Sequence, residues 1–135
     1  MITQCHLPVE RLTEGPKHHF FGYFDKFPWD VSGRYLLSQE VDFTARQPEV
    51  GEDAVLGMID LQDGNKFIPI ATTKSWCWQQ GCMFQWLMDD PNKVIYNDRE
   101  GDVFVSRILD VKTGKIKTLH RPIYCLSPDG KWALS

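Results

Sequence analysis

The segment "KHHFFGYFDKF", residues 17–27, combines basic, acidic and aromatic side chains within eleven positions. Histidine titrates near neutrality, so this segment is a candidate site for a metal, an anion or an acidic sugar. Successive strand residues point to opposite faces, so two adjacent histidines are not expected to ligate one ion. The alternative is that both histidines are solvated or hydrogen-bonded loop residues. The candidate binding residues here are His18, His19, Tyr23, Asp25 and Lys26.

A second segment, "SWCWQQGCMFQW" at residues 75–86, is rich in indole and amide side chains. Two of its tryptophans are two positions apart, so both rings are expected on one face. Sugar C–H surfaces stack on such rings, and amides hydrogen-bond to sugar hydroxyls. The alternative is that the rings fill space between sheets, as large aromatics often do. The candidate ligand-binding residues are Trp76, Trp78, Gln79, Gln80 and Gln85.

A repeated turn indicates how these segments are positioned. The stretches "WDVSGRYLLS" (29–38), "MDDPNKVIYN" (88–97) and "SPDGKWALS" (127–135) share a polar turn followed by apolar residues. Gly33, Asn92 and Gly130 occupy one slot, which suits a residue with positive φ because Gly and Asn tolerate that conformation best. A second pattern, "MIDLQDGNK" (58–66) and "ILDVKTGKI" (108–116), predicts hairpin turns that contain glycine.

The spacing of these turns predicts an all-β fold of antiparallel four-stranded β-propeller blades. Without the surplus residues of 42–53 and 72–83, the unit is about 40 residues long, which is typical of a propeller blade. The chain is then about two and a half blades, which predicts an N-terminal fragment whose partners are the remaining blades. The alternative is a complete small β-domain, a sandwich or a partial barrel. The predicted parts are a lead-in (1–17), blade 1 (18–72, insertion 42–53), blade 2 (73–121) and the start of blade 3 (122–135).

The predicted strands of blade 1 are "HFFGYFDKF", "RYLLSQEV", "AVLGMIDL" and "KFIPIAT". Those of blade 2 are "GCMFQWLM", "KVIYND", "DVFVSRILDV" and "KIKTLH". The segments "RPIYCLS" and "KWALS" are predicted to begin blade 3. No stretch has a sustained helical period with caps, so no substantial helix is predicted.

The motifs "LSPDGKWALS" and "LDVKTGKIKTL" resemble the repeats of TolB-type, WD40-like propellers. This resemblance covers about 100 residues and implies a fold, because such propellers serve many functions. The segment "KHHFFGYFDKFPWDVSGRYLLSQEVD" is similar to the opening blade of oligogalacturonate lyases, which are cytoplasmic enzymes of pectin degradation. That similarity implies a manganese site, but the family's ligands come from later blades, so no ligand is assigned here.

Composition excludes several classes of function. The net charge is −3 with no long basic stretch, so nucleic acid is not an expected partner. No signal peptide or apolar span is apparent, which predicts a cytoplasmic protein without a membrane partner. The spacing of Cys5, Cys77, Cys82 and Cys125 matches no zinc or redox motif, so buried thiols are expected.

Three functions remain open from the sequence. The first is a propeller that binds a small or carbohydrate ligand at its channel mouth. The second is a carbohydrate lyase that performs β-elimination on uronates, with a divalent metal such as manganese as its cofactor and ligands outside this chain. The third is a protein-interaction propeller without a small-molecule site. The sequence identifies no catalytic residue.

Overall fold

The computed structural model describes residues 7–135, so Cys5 lies outside the described residues. The described part of the chain contains ten β-strands and no helix. This confirms the all-β prediction. The strands are β1 (His18–Phe20), β2 (Tyr35–Val41), β3 (Ala54–Asp60), β4 (Lys66–Thr73), β5 (Gln85–Trp86), β6 (Lys93–Glu100), β7 (Val103–Asp110), β8 (Ile116–Leu119), β9 (Cys125–Leu126) and β10 (Ala133–Leu134).

The strands form two four-stranded antiparallel sheets and one two-stranded pair. The first sheet has the order β1-β2-β3-β4, the second has the order β5-β6-β7-β8, and β9 pairs with β10. Within each sheet, strands that follow one another in the sequence are hydrogen-bonded neighbours, as the hairpin turns predict. The segment 42–53 joins β2 to β3 without a strand of its own.

The glycine-containing hairpin turns occur where the sequence predicts them. Gly64 and Gly114 have φ values of 61° and 72° and follow β3 and β7. Each turn is closed by an aspartate at the end of the preceding strand. Asp60 Oδ1 accepts a hydrogen bond of 3.0 Å from the amide of Gln62, and Asp110 Oδ1 accepts one of 3.0 Å from the amide of Lys112.

The predicted positive φ is correct for Gly33 and Gly130, at 70° and 69°, but wrong for Asn92. The strand registers explain the difference. Tyr35 and Lys93 are equivalent positions, because Tyr35 pairs with Asp60 and Lys93 pairs with Asp110, the last residues of β3 and β7. Gly33 lies two residues before Tyr35, and the residue two positions before Lys93 is Pro91. The proline ring locks φ near −65°, so this turn cannot adopt the left-handed conformation.

The first predicted strand is wrong over most of its length. It ends at Phe20, and the chain returns to the first sheet only at Trp29, which bridges Leu36. Phe20 and Trp29 are nine positions apart in the sequence, whereas their partners on β2, Gln39 and Leu36, are three positions apart. The surplus residues project as a loop, called here loop 21–28. Tyr23, Asp25 and Lys26 are therefore loop residues and do not alternate along a strand.

Loop 21–28 is shaped by its backbone. Gly22 has a φ of 138°, which side-chain-bearing residues rarely adopt, and it lies where the extended chain ends. Four residues on, the amide of Lys26 donates to the carbonyl of Tyr23 at 3.2 Å and closes a turn. The apolar–polar pattern of the segment is therefore overridden by local turn formation.

The second sheet packs its first face against the first sheet. Residues of β6 alternate between the two faces, and Val94 and Tyr96 lie on this one. They belong to one buried cluster together with Leu37 of β2 and Leu56 of β3. This cluster is the main core of the described residues.

The opposite face of the second sheet is also apolar. Ile95, which lies between Val94 and Tyr96, belongs to a second buried cluster with Met83 and Ile123. Leu126 of β9 packs against this cluster, as do side chains of β7 and β8. The second sheet therefore lies between the first sheet and the β9–β10 pair.

Among the described residues, Cys77, Cys82 and Cys125 are free thiols. Cys82 is buried in the core between the first two sheets, as predicted, and burial raises the pKa of its thiol. Cys77 and Cys125 are half-buried. Within residues 7–135, no helix is long and apolar enough to cross a membrane.

Candidate ligand-binding site

Lys26, on loop 21–28, has an almost completely buried side chain. It is 4% exposed, and its Nζ lies 2.8 Å from Asp25 Oδ2. The same ammonium lies 4.2 Å from the centroid of the Tyr124 ring. A charged group loses hydration on burial and needs partners that replace it. The Asp25 carboxylate and the face of the Tyr124 ring supply those partners.

Tyr124 brings a distant part of the chain to this loop. It lies directly before β9, and its hydroxyl donates a hydrogen bond of 3.1 Å to Asp25 Oδ2. Its backbone carbonyl accepts a hydrogen bond of 3.2 Å from Gln85 Nε2, at the start of β5. Residues of all three strand groups therefore meet around Lys26.

The contacts among these side chains determine their charges. The hydrogen bond from Lys26 lowers the pKa of Asp25, and the Tyr124 hydroxyl adds to this effect. The hydrogen bond to Asp25 in turn raises the pKa of Tyr124. At neutral pH the site therefore contains a carboxylate and a neutral phenol beside the lysine.

A cleft of about 320 Å³ opens beside Lys26. We call it the lysine cleft. Trp29 is partly exposed at its wall, while the indole of buried Trp86 donates to the carbonyl of Pro28 at 3.0 Å. The cleft thus combines an available aromatic face with an amide and a charged pair, which suits a small polar ligand. The lining residues include Asp25, Lys26, Trp29, Gln85, Trp86 and Leu126.

Trp76 and Trp78 lie together, with ring centroids 5.6 Å apart and planes at 79°. Both rings also pack against Phe20 and Phe43 at centroid distances of 4.7 to 5.9 Å. Their indole N–H groups donate to backbone carbonyls of the 42–53 insertion, at 2.8 Å to Glu52 and 2.6 Å for the second ring. The pair therefore holds the insertion against the first sheet, and its ligand-binding role stays a prediction.

The three candidate glutamines lie in different places. Gln85 lines the lysine cleft. Gln80 lines a separate cleft near the end of β6, and Gln79 is exposed in the turn between these segments. The structure therefore brings only one of the three to Lys26.

The two histidines lie on β1, away from the lysine cleft. His18 is exposed, whereas His19 Nε2 lies 3.1 Å from Glu40 Oε2 and its ring stacks 4.8 Å from that of Phe67. Lys17 donates to the other oxygen of Glu40 at 2.9 Å. In the described part of the chain, no group of three or more His, Cys, Asp or Glu residues could hold a metal ion. These residues do not fit the manganese site of a lyase.

Sequence reasoning missed three residues of the lysine cleft and its surroundings, namely Trp29, Trp86 and Tyr124. A signal was present for the two tryptophans, because each lies just before a repeated turn. No signal links Tyr124 to Asp25, since their contact spans 99 positions.

Comparison with known protein families, curated proteins and solved structures finds no match to this chain.

Proposed function

We propose that the four-stranded sheets are successive blades of a β-propeller that binds a small or carbohydrate ligand in the lysine cleft. The two apolar faces of the second sheet support this architecture, because stacked blades bury both faces of each sheet. The repeated turns support it too. The amide of Asp30 donates to the carbonyl of Tyr35 at 2.9 Å, and that of Ser127 donates to the carbonyl of Trp132 at 2.8 Å.

The position of the cleft follows from this architecture. The first strand of each blade lies next to the central channel, and β1, β5 and β9 are the first strands of the three units. Lys26 lies in the loop that follows the first of these strands, Gln85 belongs to the second, and Tyr124 leads into the third. The lysine cleft therefore corresponds to a mouth of the channel.

The observation that carries the proposal is the nearly buried ammonium of Lys26 beside an accessible tryptophan ring. An indole face binds the C–H surface of a sugar, and hydroxyl groups can bond to Asp25 and Gln85. The cleft volume of about 320 Å³ lies within the usual range for small-ligand sites.

The proposal is tested by titrating the full chain with a panel of neutral and acidic monosaccharides and disaccharides, followed by calorimetry. Trp29→Ala removes the available ring and is expected to weaken binding at least tenfold, by about 1.4 kcal/mol. Trp132→Ala, at an exposed tryptophan outside the cleft, is the matched control. Equal affinities for both variants, or no binding to any sugar, would contradict the proposal.

A carbohydrate lyase is the second candidate, favoured by the position of Lys26 at the cleft wall. In its neutral form, the Lys26 amine can accept the proton α to a uronate carboxylate. The electron pair of that C–H bond then forms a double bond, and the glycosidic oxygen at the β-carbon leaves with its electrons and takes up a proton from water. This chemistry is β-elimination.

The lyase candidate is tested on oligogalacturonides by following the ultraviolet absorbance of the unsaturated product, with and without added manganese. Lys26→Met is expected to abolish product formation, while Lys117→Met, at an exposed lysine on β8, is expected to preserve it. If the wild-type protein produces no increase in absorbance with or without manganese, the lyase candidate is excluded, and the binding proposal is unaffected.

A protein-interaction surface is the third candidate, favoured by Phe24 and Phe27. These loop 21–28 side chains are 87% and 72% exposed, which is unusual for phenylalanine. Phe27 also lines the lysine cleft and its ring centroid lies 5.4 Å from that of Trp29, whereas Phe24 is outside the lining, so Phe24→Ser leaves the cleft wall in place. Sugar binding that persists in Phe24→Ser assigns the ligand to the cleft and not to the exposed Phe24 side chain.

A further inference from the structure

A second cleft lies beside the connection between the two four-stranded sheets. It has a volume of about 360 Å³ and is formed by the end of β6, the segment 74–83 and the segment 48–51 of the insertion. We call it the arginine cleft. Its polar lining includes Lys74, Ser75, Gln80 and Arg99, and Trp76 forms part of its wall.

Four side chains of this cleft, those of Lys74, Ser75, Gln80 and Arg99, have hydrogen-bond donors without an acceptor within residues 7–135. Lys74, Ser75 and Gln80 form hydrogen bonds there through their backbone amides, and their side chains form none. Arg99 donates only from Nη2, to Asp102 at 2.9 Å, and its buried Nε has no partner among these residues. An N–H group that is buried without an acceptor costs free energy, so Arg99 gains from a new acceptor.

Arg34 provides a comparison within the same molecule, because its guanidinium donates two hydrogen bonds to one carboxylate. Its Nε and Nη2 donate to the two carboxylate oxygens of Asp60 at 2.8 and 2.6 Å. The same edge of Arg99 has a single bond, to the fully exposed Asp102. A carboxylate is the group that matches this edge of a guanidinium, because it accepts two parallel hydrogen bonds.

The charge of the cleft also selects its ligand. Lys74 and Arg99 contribute two positive charges to the lining, and Glu49 contributes one negative charge. The nearby carboxylate of Asp98 is already paired with Arg107 at 2.5 Å. Asp102, which pairs with Arg99, is fully exposed outside the lining, so water screens its charge. The balance of the lining itself is one positive charge, which matches a monoanion better than a phosphate dianion.

We propose that the arginine cleft binds a small monoanionic ligand through its carboxylate group. The carboxylate contacts Arg99 and Lys74, while Gln80 and Ser75 bind other polar atoms of the ligand. This site is separate from the lysine cleft, and its ligand does not depend on the function proposed there.

The proposal is tested by nuclear magnetic resonance titration of the full chain with N-acetylglycine and its neutral amide. N-acetylglycine is expected to shift the signals of Arg99 and Gln80, and the amide is expected to leave them unchanged. Glucuronate and glucose form a second pair, and a stronger effect of glucuronate than of N-acetylglycine identifies an acidic sugar as the source of the carboxylate. Equal effects of the charged and neutral members of both pairs overturn the proposal.

Substitutions test the two cations separately. Arg99→Gln is expected to weaken N-acetylglycine binding about tenfold or more, because a hydrogen bond to a charged group is lost. Lys74→Met changes an exposed side chain and is expected to retain the fold, so it tests the site even if Arg99→Gln proves unstable. Lys74→Met is expected to weaken N-acetylglycine binding several-fold. Lys112→Met, in the turn after β7, is the matched control. Affinity unchanged by Lys74→Met and by a folded Arg99→Gln overturns the proposal.

Discussion

The hydroxyl of Tyr124 donates a hydrogen bond of 3.1 Å to Asp25, across 99 positions of the sequence. This contact joins loop 21–28 to the lead-in of β9 and completes the surroundings of Lys26. The carboxylate stabilises the protonated phenol and so raises the pKa of Tyr124. Because both partners are titratable, the pKa of Tyr124 reports whether the contact is present.

Asp25→Asn is expected to lower the pKa of Tyr124 towards its ordinary value, since the amide no longer carries the charge that opposes phenolate formation. The measurement is the pH dependence of the Tyr124 ring signals in a nuclear magnetic resonance spectrum. Asp42→Asn, at an exposed aspartate after β2, is the control. A Tyr124 pKa that is the same in Asp25→Asn and in the unchanged chain would show that the contact is absent in solution.

Gly81→Ala is expected to destabilise the protein by about 2–4 kcal/mol. A Cβ at Gly81 would overlap the buried amide of Gln39 and lie 2.8 Å from the carbonyl of Phe21. Gly101→Ala is a matched control, because both glycines have a φ of 59° and a Cβ at Gly101 meets no atom within 4 Å. It is expected to cost about 1 kcal/mol of backbone strain alone.

Chemical denaturation of both variants measures this difference. Because the two positions have the same backbone conformation, the excess cost of Gly81→Ala reports the packing of Gln39 against the connection between the sheets. Equal losses would mean that the two segments are not in contact.

The strands of the sheets were predictable because their signals are local. β2, β3, β6 and β7 begin and end within about two residues of the predicted bounds, and the turns at Gly64 and Gly114 occur as predicted. Alternating or continuous apolar residues between turn residues specify such strands without information from the rest of the chain.

The candidate site was less predictable because its contacts are not local. The segment from Phe21 to Pro28 has aromatic residues that are typical of a strand, yet it forms a loop whose partners are in other units. Asn92 was predicted to have a positive φ because its neighbours resemble those of Gly33, but the pairing register places Pro91 in that position. Register and contacts across 99 positions depend on tertiary packing.

Asp98→Ala is expected to lower the free energy of unfolding by about 2–3 kcal/mol, because it leaves the half-buried Arg107 without its main partner. Burial acts to raise the pKa of Asp98, but hydrogen bonds from the amide of Lys74 and from Arg107 outweigh it and lower the pKa. Asp102→Ala, at a fully exposed aspartate paired with Arg99, is expected to leave stability almost unchanged, because water screens the pair. Thermal unfolding of the two variants provides the comparison.

Glu52 is expected to make the stability of the protein depend on pH below about 4.5. Hydrogen bonds from Arg46 and from the amide of Glu49 lower its pKa to about 2, from an ordinary value of 4.5. Because the pKa is lower in the folded state, the contribution is fully present above 4.5 and is lost as the pH falls towards 2.

Glu52→Gln removes this titration while keeping the side-chain shape. The difference in melting temperature between the unchanged chain and the variant is expected to shrink steadily as the pH falls from about 5 to about 2. Glu14→Gln, at an exposed glutamate before β1, is the control. A difference that stays constant over this range would show that Arg46 does not pair with Glu52 in solution.

Trp86→Phe is expected to loosen loop 21–28. The indole of Trp86 donates to the carbonyl of Pro28 at 3.0 Å, at the point where the loop rejoins the first sheet. Phenylalanine fills much of the same space but has no N–H group, so about 1 kcal/mol of hydrogen bonding is lost. Because the amide of Lys26 is held inside this loop by the carbonyl of Tyr23, its hydrogen exchange is expected to become several-fold faster.

Trp78→Phe removes an equivalent indole bond, to the carbonyl of Arg46, in the insertion. It is expected to leave exchange at Lys26 unchanged, because the insertion and loop 21–28 have separate anchors. If Trp86→Phe lowered global stability without faster exchange at Lys26, Trp86 would act as a core residue only. The loop that presents Lys26 would then be held by Asp25 and Tyr124, and the ligand affinity of the lysine cleft would not depend on the Trp86 indole.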